Sequence, residues 1–247
     1  MIDRLIDQHR RAARAARSGG ELLGHTVGAV GELGFERVAL VQMIWFQQRG
    51  PQHFCLDNYG EWRDVFLARG YYRRDPAHLA SLRTNRCFAW SELSAILGAG
   101  HVHQPILREA ARHGLSCGMT VPVGVPGEPA GCGSIGTGAS ELPPREHCRA
   151  AAWIIDEAFA EARRLHGLPV PRDDVAPPLS HRRHECLRLA AMGMSDADIA
   201  ASMGIALATV RTHMAYLRRV YGVRSRTQLA RLAHRLGLLG IDDIFTQ

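Results

Sequence analysis

The sequence contains no lysine: all 30 of its basic residues are arginine. This absence excludes every site built on a lysine amine, including Schiff-base catalysis and the lysine of a phosphate-binding loop. No apolar run approaches the roughly 18 residues that suggest a transmembrane helix, so we expect no membrane partner. Residues 1–17 lack the apolar stretch of a secretory signal and predict an amphipathic first helix.

The chain also has few cysteines, and their arrangement is uninformative for metal binding. The six cysteines are widely scattered and none forms a CxxC pair. Such a distribution is typical of free thiols in a reducing cytoplasm and not of a disulfide framework or a zinc knuckle. The 13 histidines form no metal-spaced cluster. We therefore expect a cytoplasmic protein with no metal and no cofactor.

A proline-rich stretch divides the chain. Residues 167–178, GLPVPRDDVAPP, predict an extended linker because proline fixes φ and removes backbone donors. The linker separates a first domain, residues 1–166, from a second, residues 179–247. The second domain carries ten arginines against five acidic residues, whereas residues 1–178 carry twenty against nineteen. The excess positive charge therefore lies in the last quarter of the chain, where it favours a polyanionic partner.

Hydrophobic periodicity predicts different architectures for the two domains. The first alternates between helical and strand-like segments, which indicates an α/β/α sandwich around one central sheet. Its helical segments are 21–35, 60–69, 103–113 and 151–165, and its strand-like segments are 37–46, 118–126 and 131–138. The second domain shows only helical segments, at about 181–192, 196–203, 207–221 and 226–237. The predicted class is α+β, a sandwich followed by an all-α four-helix domain.

The stretch SDADIAASMGIALATVRTHM, residues 195–214, predicts two helices joined by a tight turn. Ser195 and Asp198 form a capping-box pattern at the first helix, and Gly204 can end it in a left-handed conformation. The second helix has an apolar stripe of Val210, Met214, Leu217 and Tyr221. Its opposite face is mostly small or basic and can enter the major groove of DNA without a clash.

The alternative for this face is an ordinary solvated surface, since tight helical pairs are common. Arg211 is the candidate for a direct base contact. For His213, near the edge of the apolar stripe, a role in packing is favoured over a DNA contact. The candidate DNA-contacting residues are Thr209, Arg211, Thr212, His213, Ala215, Arg218, Arg219, Arg224 and Arg226.

The second domain resembles the LuxR-type helix-turn-helix domain over some 60 residues. The resemblance implies a dimer that binds double-stranded DNA at a palindromic operator, with the last helix, carrying Leu229, Leu232 and Leu236, paired with its twin. One departure is Ala206, where the family usually has a capping serine, a loss that costs about 1 kcal/mol. The matching positions are Leu179–Ser180, Glu185, Leu187, Gly193, Ser195, Ile199–Ala200, Gly204, Ile205, Thr209–Val210, His213, Leu217, Val223 and Arg226.

Aromatic residues in the first domain surround an acid. The stretch NYGEWRDVFLARGYYRRDP ends at Asp75–Pro76. A carboxylate buried among aromatic rings is costly without a donor, which a ligand amide N–H would supply. The indole N–H of Trp62 could in turn serve a ligand carbonyl. The alternative is a core cluster in which Asp75 caps a helix.

The same region resembles the autoinducer-binding domain of quorum-sensing LuxR-type receptors. The resemblance rests on Trp62, Phe66, Asp75–Pro76 and Trp90, and on Gly114, Gly118, Thr120 and Pro122. That family binds N-acyl-homoserine lactones in an α/β/α domain. The resemblance implies that Trp62 donates to the lactone carbonyl and that Asp75 accepts from the amide N–H. It also implies that Ser134 and Thr120, with Tyr59, donate to the amide carbonyl. The candidate ligand-binding residues are Tyr59, Trp62, Phe66, Tyr72, Asp75, Trp90, Thr120 and Ser134.

The sequence departs from the pattern of this family at two positions that are expected to contact the ligand. The family usually has tyrosine where this chain has Phe66. Tyr59 lies three residues before Trp62, where four is usual, and the shorter spacing could turn Tyr59 away from the ligand.

These observations predict a ligand-responsive transcriptional regulator of quorum sensing and not an enzyme. Its expected partners are an autoinducer, operator DNA, a second copy of the chain and, as a further candidate, RNA polymerase. One alternative is a solo LuxR-type regulator that responds to another small molecule or binds DNA without ligand. Another is an enzyme with a DNA-binding tail, but no nucleophile–base pair is recognisable.

The GxGxxG match at residues 131–136 is followed by a loop-like segment, so it is not interpreted as a dinucleotide-binding site. The acyl chain, the operator and the sign of regulation stay open.

Overall fold

The computed structural model describes residues 1–42, 45–46, 50–51, 54–98, 104–125, 129–168, 179–235 and 238. The chain forms two compact units, one of Met1–Gly124 with Pro129–Val170 and one of Pro171–Gln247 with Val125–Glu128. The predicted α+β class is confirmed. Of the predicted linker, residues 169–178 lie outside the described residues, as do residues 43–44, 103, 126 and 236–237 of the predicted strands and helices.

The strands of the first unit are β1 (Arg37–Gln42), β2 (Trp45–Phe46), β3 (Gly50–Pro51), β4 (Phe54–Asp57), β5 (Phe88–Ala89), β6 (Cys117–Val123) and β7 (Gly131–Thr137). Five of them form an antiparallel sheet with strand order β4-β1-β7-β6-β5. The very short strands β2 and β3 pair separately from this sheet.

Helices cover both faces of this sheet. On one face, α2 (Gly19–Gly31) and α7 (Arg145–Leu165) pack against the sheet, and α1 (Ile2–Ala15) packs against both of these helices. The other face is covered by shorter helices: α3 (Glu61–Ala68), α4 (Pro76–Ser81), α5 (Leu93–Leu97) and α6 (Gln104–Arg112). Of two 3-10 turns, Tyr71–Arg73 connects α3 to α4, and Trp90–Glu92 connects β5 to α5.

The alternation of side chains along the strands explains the two layers. Val38 and Leu40 of β1 and Ile135 of β7 are fully buried against α2 and α7. The alternate residues point to the opposite face. Strand β7 is glycine-rich because it lies close beneath α7: a Cβ on Gly133 would stand 2.1 Å from the Ile155 side chain. The sequence GCGSIG is therefore a buried strand and not a dinucleotide-binding loop.

Several sequence expectations differ from the structure in detail. The helix predicted for residues 21–35 ends at Gly31, because Gly34 adopts φ +93° and the Phe35 N–H bonds back to Val30. The helix predicted from residue 151 begins at Arg145, after Pro144. Strands β4 and β5 and helix α4 were not expected from the sequence. They are short, and their burial comes from neighbours distant in the chain.

The second unit contains the four expected helices. They are α8 (His181–Ala191), α9 (Asp196–Met203), α10 (Leu207–Tyr221) and α11 (Arg226–Arg235). The capping box is confirmed: the Asp198 N–H donates to Ser195 Oγ at 3.2 Å, and the Ser195 N–H donates to Asp198 Oδ2 at 3.1 Å. Gly204 ends α9 at φ +62°, as expected.

The sequence predicts that Leu229, Leu232 and Leu236 of the last helix contact a second copy of the chain. For the first two of these residues the prediction is wrong. Leu229 and Leu232 are buried in the core of their own unit, 0% and 4% exposed, where α11 packs against α8. They cannot therefore form an exposed contact stripe, and Leu236 lies outside the described residues. Within the described part of the chain, no helix combines the length and the apolar character needed to cross a membrane.

A buried histidine links the first two helices. His9 on α1 is 3% exposed, and its Nε2 lies 3.2 Å from the Thr26 hydroxyl on α2. Burial lowers the pKa of His9 to about 4, partly opposed by the nearby charge of Glu157. The unfolded chain therefore binds a proton at this position more readily than the folded chain does.

We expect the first unit to lose stability as the pH falls from about 6.5 to 4, by at most about 3 kcal/mol from His9. Stability from this residue is complete above pH 6.5, because His9 is then neutral in both states. Urea unfolding across this pH range measures the effect. His9→Gln should flatten the profile, and His147→Gln, on the half-buried start of α7, should not. An unchanged slope in His9→Gln would contradict the assignment.

Candidate functional site

A cavity of about 480 Å³ lies between the second face of the sheet and the shorter helices. The sheet forms the floor of this cavity, and the strand register determines which residues of the sheet lie on the cavity side. Asp57 pairs with Ala39, Ala39 with Ser134, and Ser134 with Thr120, so these four residues form one row across the sheet. Residues paired in this way project to the same face. The row therefore places a carboxylate and two hydroxyls on the side where the cavity lies.

The structure brings most of the candidate ligand-binding residues together. Seven of the eight line the cavity: Tyr59, Trp62, Phe66, Tyr72, Asp75, Trp90 and Ser134. Thr120 does not line the cavity but lies fully buried beside it, in contact with two residues that do. Their roles toward a ligand remain predictions.

Thr120 holds two cavity residues in place. The Trp90 indole N–H donates to Thr120 Oγ1 at 3.0 Å, and Thr120 Oγ1 lies 2.9 Å from Ser134 Oγ. The Trp90 ring lies over two glycines of neighbouring strands, since a Cβ on Gly118 or Gly136 would stand 2.7 or 2.9 Å from it. If Thr120 donates to Ser134, the Ser134 proton can point into the cavity.

An aromatic cluster forms one wall. Trp62 is 4% exposed, and its ring centroid lies 5.8 Å from that of Phe66 and 6.0 Å from that of Tyr71. The Tyr71 hydroxyl donates to Glu109 on α6, so this ring is fixed from outside the cavity. Phe66, without a hydroxyl, makes its part of the wall apolar.

Asp75 caps a helix, which is one of the two roles considered from the sequence, and its role toward a ligand stays a prediction. Its Oδ1 accepts the Ala77 N–H at 3.0 Å and caps α4, and the residue also lines the cavity.

Tyr59 faces the same cavity in spite of its shortened spacing. Gly60, at φ +58°, turns the chain into α3 directly after it, a conformation that favours glycine. Burial raises the pKa of Tyr59 well above its usual range, and the nearby charge of Asp75 adds to this. The phenol is therefore neutral at physiological pH and can donate a hydrogen bond into the cavity.

The sequence reasoning missed a second acid in the cavity wall. The Asp57 side chain is 4% exposed, and its Oδ2 lies 3.5 Å from Nη1 of Arg63, another wall residue. The Tyr59 N–H donates to Asp57 Oδ1 at 3.2 Å. An acid alternating with apolar residues in a recognised strand could have indicated this position, but β4 is too short to be recognised.

Two thiols also line the cavity without becoming reactive. Burial raises the pKa of both Cys55 and Cys132 to about 12, so both are protonated at neutral pH. Among the described residues, no three His, Cys, Asp or Glu side chains come together in a way that could hold a metal ion.

The second unit presents the face expected on α10. Val210, Met214 and Leu217 are buried, whereas Arg211, Thr212 and Ala215 between them are exposed. The Thr212 hydroxyl donates to the Ala208 carbonyl at 2.9 Å, and His213 is half-buried at the edge of the face. Ala206 supplies no side-chain cap to α10. The exposed candidates are Thr209, Arg211, Thr212, Ala215, Arg218, Arg219 and Arg224.

Two further contacts shape this face. The Tyr216 ring lies near two guanidinium groups, that of Arg183 on α8 at 3.6 Å from the ring centroid and that of Arg219 at 5.8 Å. Arg226 Nη1 donates to Asp196 Oδ1 at 3.2 Å and joins α11 to α9. Arg226, a candidate DNA-contacting residue, therefore directs its guanidinium toward α9 of its own unit.

Comparison with known families gives two matches. The model described as "Autoinducer binding domain" matches residues 20–162, and that described as "Bacterial regulatory proteins, luxR family" matches residues 177–233. The HTH-type transcriptional regulator y4qH of Sinorhizobium fredii is 29% identical over 181 residues, which cover 72% of this chain and 54% of that protein. The match thus spans about half the length of this relative.

Solved structures share the fold at low identity. SdiA of Escherichia coli is 22% identical, with a TM-score of 0.58 over 93% of this chain and 97% of that one. SdiA in complex with octanoyl-rac-glycerol is 20% identical, with a TM-score of 0.59 over 96% of this chain and 94% of that one. CepR2 of Burkholderia cenocepacia, described as an N-acylhomoserine lactone dependent LuxR family transcription factor, is 14% identical, with a TM-score of 0.52 over 67% and 95%.

Replacing Thr120 with valine tests its supporting role. The change keeps the side-chain shape but removes the hydroxyl, so the Trp90 N–H loses its acceptor and Ser134 loses its contact with Thr120. We expect a loss of about 1–3 kcal/mol in the free energy of unfolding and a shift in tryptophan fluorescence. Thr84→Val, at a half-buried turn where the hydroxyl accepts the Arg86 N–H, should change neither. Equal effects of the two variants would show that the buried hydroxyl does not hold Trp90.

Proposed function

The chain belongs to the LuxR-type bacterial regulatory proteins that carry an autoinducer-binding domain, and from this premise we propose that it is a transcriptional regulator controlled by an N-acyl-homoserine lactone. Its first unit binds the signal and its second unit binds DNA. The observation that carries the proposal is a largely apolar cavity in which an acid, a neutral phenol and a hydroxyl converge.

The cavity suits an acyl amide. Asp75 accepts from the amide N–H, while Tyr59 and Ser134 donate to the amide carbonyl. Trp62 donates its indole N–H to the lactone carbonyl, and Trp90 and Phe66 enclose the ring and the acyl chain. Thr120 acts through Ser134 and Trp90. A volume of about 480 Å³ lies within the usual range for small-molecule pockets.

Ligand binding controls the protein through its stability. A ligand at a hundredfold excess over its Kd stabilises the folded state by about 2.7 kcal/mol, a large share of the stability of a typical domain. The stabilised chain forms a homodimer, and its two α10 helices read an imperfect palindrome whose half-sites lie about one helical turn, ~34 Å, or a multiple apart.

A second ligand class is an acylated polyol. It is favoured by the SdiA complex with octanoyl-rac-glycerol, since SdiA shares this fold over most of its length. DNA binding that needs no ligand is the remaining alternative. Thermal unfolding of the purified chain with lactones of graded length, with octanoyl glycerol and with neither distinguishes the three.

Asp75→Asn tests the amide contact. Asparagine keeps an acceptor for the Ala77 N–H but loses the carboxylate. We expect lactone affinity to fall about 10- to 100-fold, since a hydrogen bond to a charged group contributes about 1–3 kcal/mol. Titration calorimetry measures the change, with Asp64→Asn, on the exposed side of α3, as the control of equal charge change. Unaltered affinity in Asp75→Asn would remove Asp75 from the site.

Arg211→Ala tests the DNA contact. The target is a duplex selected from random-sequence DNA by the ligand-bound protein. We expect affinity for this duplex to fall about 10- to 100-fold, with relaxed preference at one base pair per half-site. Arg182→Ala removes the same charge from an exposed position on α8 and should have a smaller, sequence-independent effect. Full affinity and preference in Arg211→Ala would contradict the proposed readout.

A further inference from the structure

Asp57 places a second carboxylate on the cavity floor, apart from the amide-binding group formed by Asp75, Tyr59 and Ser134. It is the last residue of β4, an edge strand of the sheet, and its side chain is 4% exposed. Asp57 and Ser134 both pair with Ala39, one from each side of β1. Neighbouring strands lie about 4.8 Å apart, so the Asp57 and Ser134 backbones are about 10 Å apart.

Little protein fills the space between these two residues. Ala39 has only a methyl group, and Asp57, Ala39 and Ser134 all line the cavity. A ligand amide held at Ser134 would therefore have its first acyl carbons above Ala39, in the direction of Asp57. Two hydrogen bonds of about 2.8 Å account for much of the 10 Å, which leaves room for only a few carbons.

The contacts of Asp57 specify what it would accept. Oδ1 takes the Tyr59 N–H, and Oδ2 faces the Cys55 thiol and Nη1 of Arg63, each at 3.5 Å. These contacts are fewer and longer than those of a carboxylate with its acceptor capacity fully used. Arg63 is half-exposed, so its guanidinium can adjust toward a ligand oxygen while it stays beside Asp57.

We propose that Asp57 makes the cavity selective for a signal whose acyl chain carries a hydroxyl near the amide, such as a 3-hydroxyacyl-homoserine lactone. The inference rests on the proposed function, because it assumes that the amide is held at Ser134 and Asp75. A hydroxyl donates to the Asp57 carboxylate and accepts from Arg63. A 3-oxo group places an acceptor against that carboxylate, and a methylene covers it without supplying a donor.

The test compares three lactones of equal chain length, with a 3-hydroxy, a 3-oxo and an unsubstituted acyl group. Each is titrated calorimetrically into the purified full chain. The wild type should bind the 3-hydroxy compound at least about tenfold more tightly than either of the others, about 1.4 kcal/mol. Asp57→Asn should abolish this preference and gain affinity for the 3-oxo compound, because its amide can donate. Asp64→Asn should rank the three as the wild type does.

The outcomes separate this inference from the proposed function. Equal binding of the three lactones by the wild type, or a hydroxyl preference that persists in Asp57→Asn, overturns the role of Asp57 and leaves lactone sensing intact. Failure of the wild type to bind any lactone overturns both. If Asp57→Asn does not fold, which circular dichroism would show, Asp57→Ser is titrated in its place: its hydroxyl lacks the charge, and the hydroxyl preference should fall below tenfold.

Discussion

The first unit depends on the alternation of side chains along β1 and β7, which gives one sheet two different faces. Val38, Leu40 and Ile135 point to the face that α2 and α7 cover, and glycines on β7 allow α7 to approach closely. Ala39 lies between Val38 and Leu40, and Ser134 lies next to Ile135; both point to the opposite face, where the cavity lies. A shift of one residue in strand register would exchange the two faces, so formation of the core and formation of the site are the same event.

Polar groups in the cavity wall are held by the protein before any ligand arrives. Thr120 fixes Trp90 and orients Ser134, and Asp75 is fixed as the cap of α4. Such preorganisation lowers the conformational entropy that a ligand must otherwise remove. The cost of burying these groups is offset by the hydrogen bonds that they make within the protein.

The second unit depends more than the first on interactions between residues that are close together in the chain. Its helices begin and end at signals a few residues long, such as the reciprocal bonds between Ser195 and Asp198 and the left-handed Gly204. Tyr216, stacked against Arg183, connects α10 to α8 and keeps the neighbouring Arg219 beside an aromatic ring. Buried residues of α10 thus orient its basic face through packing within the unit.

The sequence by itself determined the two architectures and the four helices of the second unit, because periodicity and capping depend on residues close together in the chain. Resemblance to a known family added the residues of the site, including Trp62 and Asp75. Only the tertiary structure decided that Asp57 joins the cavity, that Thr120 lies behind it, that Arg226 binds Asp196 and that Leu229 packs inward. Each of these depends on strand pairing or helix packing between distant segments, and no local pattern specifies which partners meet.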